Sequence, residues 1–82
     1  MKVKVKVLLK EGIFDPQGKA VHHAIRDLKY KGVEDVRIGK YIELTFENMD
    51  KKLIEQEARE ICDKLLANPV MENFDFEIEE LV

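Results

Sequence analysis

The sequence contains no tryptophan, a single cysteine, and only four glycines and two prolines. Because one cysteine cannot form an internal disulfide, Cys62 favours a reducing, cytoplasmic compartment over secretion. Long apolar runs are also missing, whereas a membrane span needs about 20 consecutive apolar residues. The N-terminus instead alternates lysine with valine, which is not the pattern of a signal peptide. We therefore expect a soluble cytoplasmic protein with no membrane segment.

Basic residues are not in excess, since 14 lysines and arginines accompany 17 acidic residues, for a formal net charge of −3. A nucleic-acid-binding domain needs a concentrated basic surface to neutralise phosphates, so we expect no nucleic-acid partner. The 82 residues, 45% of them hydrophobic, suffice for one domain covering residues 1–82. Domains of this size without a disulfide or metal often gain stability by oligomerising. A role that depends on partner chains is therefore favoured.

Alternating apolar residues predict four strands, and two stripes at helical spacing predict two helices. The first strand covers residues 2–9, with its valines on one face and its lysines on the other. The first helix is expected from residue 16 to residue 31, with Asp15 as its N-cap and Gly32 as its end. Two short strands follow, joined around Gly39 either by three residues or by a two-residue turn with a bulge.

The second helix is predicted to begin after Asp50 and to end at Pro69, and the last strand to cover about residues 73–80. The order predicts an α+β fold: a two-layer βαββαβ ferredoxin-like sandwich. It would contain an antiparallel four-stranded sheet of order 4-1-3-2, with both helices on one face. Charge supports this order, because the lysines of strand one would lie between the acidic side chains of strands three and four. The buried stripe of the second helix is expected to comprise Ile54, Ala58, Ile61, Cys62 and Leu65.

No side-chain pattern indicates catalysis. His22 and His23 are neighbours on a helix, about 100° apart, so they cannot jointly hold one metal ion, and His23 is expected beside Asp27. Cys62 lies on an apolar stripe, where a buried structural thiol is expected. The four glycines are too scattered for a phosphate-binding loop. We therefore predict no catalytic, metal or cofactor site in this chain.

Several features exceed what the fold requires. Gly18 weakens the first helical turn by about 1 kcal/mol relative to alanine, which suggests the close approach of another strand or another chain. Leu8 and Tyr41 interrupt the charged face of the sheet. Such a face is typical of an oligomer or partner surface. The candidate interface residues are Gln17, Gly18, Arg37, Lys40, Tyr41 and Asn68.

Four segments occur in this order along the chain: Leu9-Lys10-Glu11-Gly12, Asp15-Pro16-Gln17-Gly18-Lys19-Ala20-Val21, Val36-Arg37-Ile38-Gly39-Lys40-Tyr41-Ile42-Glu43-Leu44 and Cys62-Asp63-Lys64-Leu65-Leu66-Ala67-Asn68-Pro69-Val70. With these segments the sequence resembles the PurS family over essentially the whole chain. Each segment alone is weakly specific, but the four together are specific. One departure is Lys29-Tyr30-Lys31 at the end of the first helix, where relatives tend to carry a glycine.

The resemblance implies the small subunit of phosphoribosylformylglycinamidine (FGAM) synthase, an early enzyme of purine biosynthesis. In such a complex a glutaminase subunit releases ammonia. A large synthetase subunit, which would hold ATP and Mg²⁺, converts formylglycinamide ribonucleotide to the amidine. A PurS-like chain would form a homodimer or tetramer and would bridge the glutaminase and the large synthetase subunit. It would support assembly and ammonia transfer without catalytic residues or a cofactor of its own.

The residues also leave open a stand-alone regulatory module of the same fold that binds a small metabolite between subunits. This alternative predicts thermal stabilisation of the isolated chain by an amino acid or nucleotide, whereas the bridging subunit predicts none. An independent small enzyme is disfavoured, because no matching set of catalytic residues occurs.

Overall fold

The computed structural model describes residues 1–80, which form a three-stranded antiparallel sheet and two helices. Strand β1 (Lys2–Leu9) lies at the centre of the sheet, between β2 (Lys40–Thr45) and β3 (Glu72–Glu79). Helix α1 (Pro16–Asp27) follows β1, and helix α2 (Lys51–Ile61) lies between β2 and β3 in the sequence. The predicted α+β class is confirmed.

One face of the sheet carries the core, as the alternating pattern predicted. Val5 lies opposite Ile42 on β2 and opposite Phe76 on β3, so the apolar sets of all three strands share this inner face. Burying a valine side chain contributes about 1.5–3 kcal/mol, so β1 supplies much of the stability of the sheet. The buried valines of β1 are Val3, Val5 and Val7.

The outer face carries the lysines of β1 between two acidic strands, which confirms the predicted charge arrangement. Nζ of Lys2 lies 2.9 Å from a carboxylate oxygen of Glu43 on β2. Nζ of Lys4 lies 2.6 Å from a carboxylate oxygen of Glu79 on β3. Both pairs are diagonal, because Lys2 is directly opposite Thr45 and Lys4 is directly opposite Glu77 on those strands.

Helix α2 covers the inner face with Ile54, Ala58 and Cys62, each of which is completely buried. The helix continues as a π-helical turn over Cys62–Leu66, in which the Ala67 amide donates to the Cys62 carbonyl at 2.9 Å. This wider turn adds a residue and shifts the buried stripe by one position. Leu65 is therefore 77% exposed, and the prediction that it is buried is wrong. Leu66 packs against the core in its place.

The predicted four-stranded sheet is wrong, because residues 36–38 form no strand in the part of the chain that the structure describes. The Ile38 amide donates to the Asp15 carboxylate at 2.8 Å, which diverts this segment toward the start of α1. Strand β2 begins at Lys40, directly opposite Val7. The predicted hairpin around Gly39 and the complete 4-1-3-2 order are therefore not observed.

Helix α1 ends at Asp27, four residues before its predicted end. Lys29 has a φ of 75° and takes the left-handed position that usually follows a helix. The Tyr30 amide donates to the Ile25 carbonyl at 3.3 Å, and the Lys29 amide to the Arg26 carbonyl at 2.9 Å, which closes the last turn. The predicted stop at Gly32 is therefore wrong, because Lys29 already serves as the cap.

The prediction that both helices cover one face of the sheet is also wrong. Of the residues of α1, only Gly18 is buried. Val21 lies on the predicted apolar stripe of α1 and Leu28 directly follows the helix, yet these residues are 40% and 69% exposed. Helix α2 alone covers the inner face, and the apolar residues of β2 and β3 remain only partly buried.

Candidate functional site

The candidate residues lie at one end of the sheet, where β1 ends and where β2 and β3 begin. Because the strands are antiparallel, the segments 10–15, 28–39 and 67–71 all lie at this same end of the sheet. We call this region the loop end. The first turn of α1 also begins here.

Asp15 links the start of α1 to the segment before β2. One carboxylate oxygen accepts from the Gly18 amide at 2.9 Å, as the predicted N-cap should, and the other accepts from the Ile38 amide at 2.8 Å. These hydrogen bonds lower the pKa of Asp15 below its ordinary value, with a smaller contribution from the positive charge of Arg37. The carboxylate therefore holds two segments of the backbone together and is not a free acid or base.

Gly18 lies at an internal contact between α1 and this segment. A Cβ atom on residue 18 would overlap the Val36 carbonyl oxygen and would lie 2.7 Å from the Asp15 carboxylate. The close approach inferred from the sequence is thus made by a segment of the same chain. Gly39 has a comparable position, because a Cβ there would overlap the Val7 carbonyl oxygen.

Glu72 joins two further candidates that are distant in sequence. One of its carboxylate oxygens accepts from the Asn68 amide at 2.8 Å, and the other lies 3.7 Å from Nζ of Lys40. The Asn68 side chain also accepts from the Val70 amide at 3.0 Å. Lys40 and Asn68 therefore shape the loop end through Glu72, which sequence reasoning missed because it continues the acidic pattern of β3.

Five of the six candidates are exposed at the surface: Gln17, Arg37, Lys40, Tyr41 and Asn68. Tyr41 is 53% exposed and lies opposite Lys6 on the outer face of the sheet. Arg37 lines a cavity of about 320 Å³ between segment 10–15 and residues 35–37. Lys10 and Lys19 line the same cavity, together with three carboxylates, so its wall carries both signs of charge.

The remaining titratable candidates also have structural partners. Nε2 of His22 lies 2.7 Å from the Val33 carbonyl oxygen, which accepts the ring N–H. His23 lies 3.6 Å from Asp27, as predicted. Cys62 is completely buried, as predicted, and this burial raises the pKa of its thiol, which disfavours the nucleophilic thiolate.

Metal-binding clusters and membrane-spanning helices are both absent from residues 1–80. No three His, Cys, Asp or Glu side chains in that range lie close enough together to hold a metal ion. None of the helices described there combines the length and the apolar composition that a bilayer crossing requires. The loop end combines hydrogen bonds to the backbone inside with exposed polar and aromatic groups outside.

Comparisons with known proteins identify the family. The model of the family described as PurS, phosphoribosylformylglycinamidine (FGAM) synthase, matches residues 2–80. The chain is 54% identical over 81 residues to the phosphoribosylformylglycinamidine synthase subunit PurS of Bacillus subtilis, covering 99% of this chain and 95% of that protein.

Solved structures agree with this match. Methanocaldococcus jannaschii PurS is 32% identical and aligns with a TM-score of 0.86, over 99% of this chain and 98% of that one. A chain in the structure of PurLQS from Thermotoga maritima is 29% identical, with a TM-score of 0.84 and 93% of each chain covered. The chain therefore belongs to the PurS family, whose named members are subunits of FGAM synthase in purine biosynthesis.

Proposed function

We propose that this chain is the non-catalytic small subunit of glutamine-dependent FGAM synthase. In this proposal it bridges the glutaminase subunit and the ATP-dependent synthetase subunit and supports the transfer of ammonia between them. The observation that carries the proposal is the likeness, over 93% of the chain, to a chain within the PurLQS structure. ATP and Mg²⁺ would be held by the large subunit, and this chain would hold no cofactor.

The arrangement of the loop end supports a bridging role. Asp15 and Glu72 use their carboxylates to fix the segments that meet there, which gives the surface a defined shape. A rigid surface loses less conformational entropy when a partner binds. We propose that Gln17, Arg37 and Tyr41 contact partner subunits and that Gly18, Lys40 and Asn68 maintain the shape of the surface.

We also propose that the free chain is a homodimer or a tetramer located in the cytoplasm. A small domain that leaves several large apolar side chains exposed gains stability when another copy covers them. Phe14, Leu28 and Tyr30, which flank α1, are each at least 65% exposed. The free, buried thiol of Cys62 is compatible with a reducing compartment.

Reconstitution of the enzyme tests the bridging role. The chain is mixed with the cognate large subunit and glutaminase, and amidine formation is followed with either glutamine or ammonium as the nitrogen source. Glutamine-dependent turnover should require the chain, because only that reaction needs ammonia to pass between subunits. Ammonium-dependent turnover should proceed without it.

Two results would contradict the proposal. If omission of the chain leaves glutamine-dependent turnover unchanged, the chain is not a bridge. If an amino acid or nucleotide raises the Tm of the isolated chain, a metabolite-binding regulatory module is favoured instead.

A further inference from the structure

Strand β3 forms one edge of the sheet and has none of the usual features that prevent further pairing at an edge. Its eight residues pair with β1 without interruption, from Glu72 opposite Leu9 to Glu79 opposite Lys2. It contains no proline, glycine or bulge. On the side away from β1, no strand lies next to β3 in the part of the chain that the structure describes. This side of β3, which we call the open edge, therefore has room for an additional strand.

Alternate residues of β3 direct their backbone groups toward the open edge. The Lys10 amide donates to the Met71 carbonyl at 2.8 Å, which continues the ladder and shows that the odd-numbered residues of β3 are the ones hydrogen-bonded to β1. The N–H and C=O groups of Phe74, Phe76 and Ile78 therefore point away from β1. Within the described residues these groups have no backbone partner. Such groups at a sheet edge are able to pair with an extended segment of another chain.

The outer side chains of β3 carry negative charge that the chain itself neutralises only in part. Glu79 is paired with Lys4 across the sheet. Asp75 and Glu77 are exposed, and neither forms an ion pair with any residue from 1 to 80. Because opposite charges on neighbouring strands attract, basic side chains on an added strand would pair with these two carboxylates.

The inner side chains of β3 favour apolar neighbours. Phe74, Phe76 and Ile78 pack against the core but are only half-buried. The rings of Phe74 and Phe76 stack with their centroids 6.5 Å apart, and the guanidinium group of Arg59 lies 5.2 Å from the centroid of Phe76. Apolar side chains on an added strand would cover the part of this row that remains exposed. An occupant that suits both faces alternates basic with apolar residues, as β1 does on the other side of β3.

Neither edge strand of a second copy has this pattern. Pairing of β3 with another β3 would place carboxylates beside carboxylates, which is unfavourable. The outer side chains of β2 are Tyr41, Glu43 and Thr45, none of which is basic. Strand β1 has the pattern, but it is enclosed between β2 and β3. The segment before β2 is held against α1 by its contacts with Asp15 and Gly18. The charge pattern thus favours a different protein as the occupant.

We infer that the open edge of β3 binds, as an added strand, an extended segment of a partner protein in which lysine or arginine alternates with apolar residues. The inference rests on the proposed function, since the segment would belong to one of the partner subunits that this chain bridges. Hydrogen bonds from the backbone of β3 would hold the segment. Asp75 and Glu77 would select its basic side chains, and the half-buried row on the inner face would accept its apolar side chains.

Hydrogen exchange measured residue by residue tests the added strand in the complex. In the free chain, the amides of Phe74, Phe76 and Ile78 should exchange about tenfold faster than those of Asp75 and Glu77, because only the latter two donate to β1. In the complex reconstituted with the cognate synthetase subunit and glutaminase, exchange at the three open-edge amides should slow about tenfold or more. Slow exchange at these amides already in the free chain, or unchanged exchange in the complex, would overturn the inference.

A synthetic peptide tests the chemistry of the occupant on the free chain. Acetyl-Lys-Val-Lys-Val-Lys-Val-amide has the alternation of β1, and its addition should shift the amide resonances of Phe74, Phe76 and Ile78 in NMR spectra. A peptide of the same composition, with three lysines followed by three valines, has the same charge without the alternation and should shift them far less. Equal shifts with both peptides would show a general attraction of charge and would exclude strand addition.

A charge reversal at the open edge tests the contact with the partner. Glu77→Lys should raise the Kd for the partner subunit about fivefold or more, because an attraction between neighbouring strands becomes a repulsion. Glu77→Gln should raise it less, and Glu47→Lys, an equal charge change at an exposed position beyond β2, should leave it unchanged. The Tm of each variant shows whether the fold is retained. A Glu77→Lys protein that folds and binds like wild type would contradict the inference.

The outcome is separable from that of the bridging function. If glutamine-dependent turnover requires the chain while the open-edge amides exchange freely in the complex, the bridging function holds and strand addition is wrong. If the amides are protected in the complex but turnover proceeds without the chain, strand addition holds and the bridging function is wrong.

Discussion

Gly18 lies so close to the carbonyl oxygen of Val36 that a Cβ atom on residue 18 would overlap it. Because the obstacle is backbone, it cannot rotate away as a flexible side chain would. This contact brings the segment before β2 against the first turn of α1. Together with the Asp15 hydrogen bonds it determines the direction of α1.

Gly18→Ala should lower the free energy of unfolding, because overpacking usually costs about 1–3 kcal/mol. Alanine offsets about 1 kcal/mol of this cost through its higher helix propensity, so the net loss should reach about 2 kcal/mol. Gly32→Ala is the matched control, since no atom lies within 4 Å of the added Cβ. Urea unfolding at fixed protein concentration measures both. A Gly18→Ala protein as stable as the Gly32→Ala protein would show that the contact relaxes freely.

Lys29→Gly should stabilise the protein. Lys29 has a φ of 75°, a conformation that costs an L-residue about 1–2 kcal/mol and that glycine adopts freely. The side chain of Lys29 is exposed, so little packing is lost. A gain of about 1 kcal/mol would raise the Tm by about 4–8 °C for a domain of this size.

Lys31→Gly provides the comparison for this substitution, because residue 31 is also an exposed lysine but does not have a positive φ. It should leave the Tm unchanged or lower it slightly, since glycine adds freedom to the unfolded chain. An equal effect of the two substitutions on the Tm would exclude backbone strain at Lys29 as the cause.

The acid stability of the protein should depend on Asp15. Hydrogen bonds from the Gly18 and Ile38 amides lower the pKa of Asp15 from its ordinary value of 3.8. Because the pKa is lower in the folded state, the ionised carboxylate stabilises the fold above about pH 3.8, and this contribution is lost as the pH falls through the folded pKa. Asp15→Asn removes the ionisation, so its deficit in stability relative to wild type should shrink with acidification.

Unfolding by urea at a series of pH values measures this deficit. The pKa values of Glu43 and Glu79 are also lowered, chiefly by hydrogen bonds from Lys2 and Lys4, but these pairs are present in both proteins and cancel in the difference. Asp35→Asn, at an exposed carboxylate of the loop end, controls for the change in net charge. A constant deficit for Asp15→Asn at every pH would mean that its ionisation contributes nothing.

Local patterns predicted the parts of the fold whose causes are local. The alternation in β1 fixed which residues face the core, and the N-caps at Asp15 and Asp50 were both found. The misplacement of Leu65 has a different cause, because the π-helical turn changes the helical period without a proline or glycine to mark it. The direction of α1 depends on contacts between distant segments, which no periodicity encodes.

In the candidate site, too, local features could be predicted from the sequence, whereas contacts between distant residues could not. Asp15 was identified as a cap, but its second hydrogen bond, to Ile38, spans 23 residues of sequence and could be found only in three dimensions. Glu72 was overlooked for a similar reason, since its acidic side chain is ordinary for β3 until Lys40 and Asn68 are seen beside it. Gly18 was chosen correctly as unusual, and the structure shows that the close neighbour belongs to the same chain.

The exposed candidates Arg37 and Tyr41 should act in assembly and not in folding. Neither side chain is buried, so Arg37→Ala and Tyr41→Ala should leave the Tm nearly unchanged. If these side chains contact partner subunits, each truncation should raise the Kd for the large subunit about tenfold or more. Arginine and tyrosine are among the residues whose truncation at an interface costs most binding free energy. Lys52→Ala, at an exposed position of α2, should leave that Kd unchanged. Titration calorimetry with the cognate large subunit decides the matter, because an unaltered Kd for both variants would remove them from the interface.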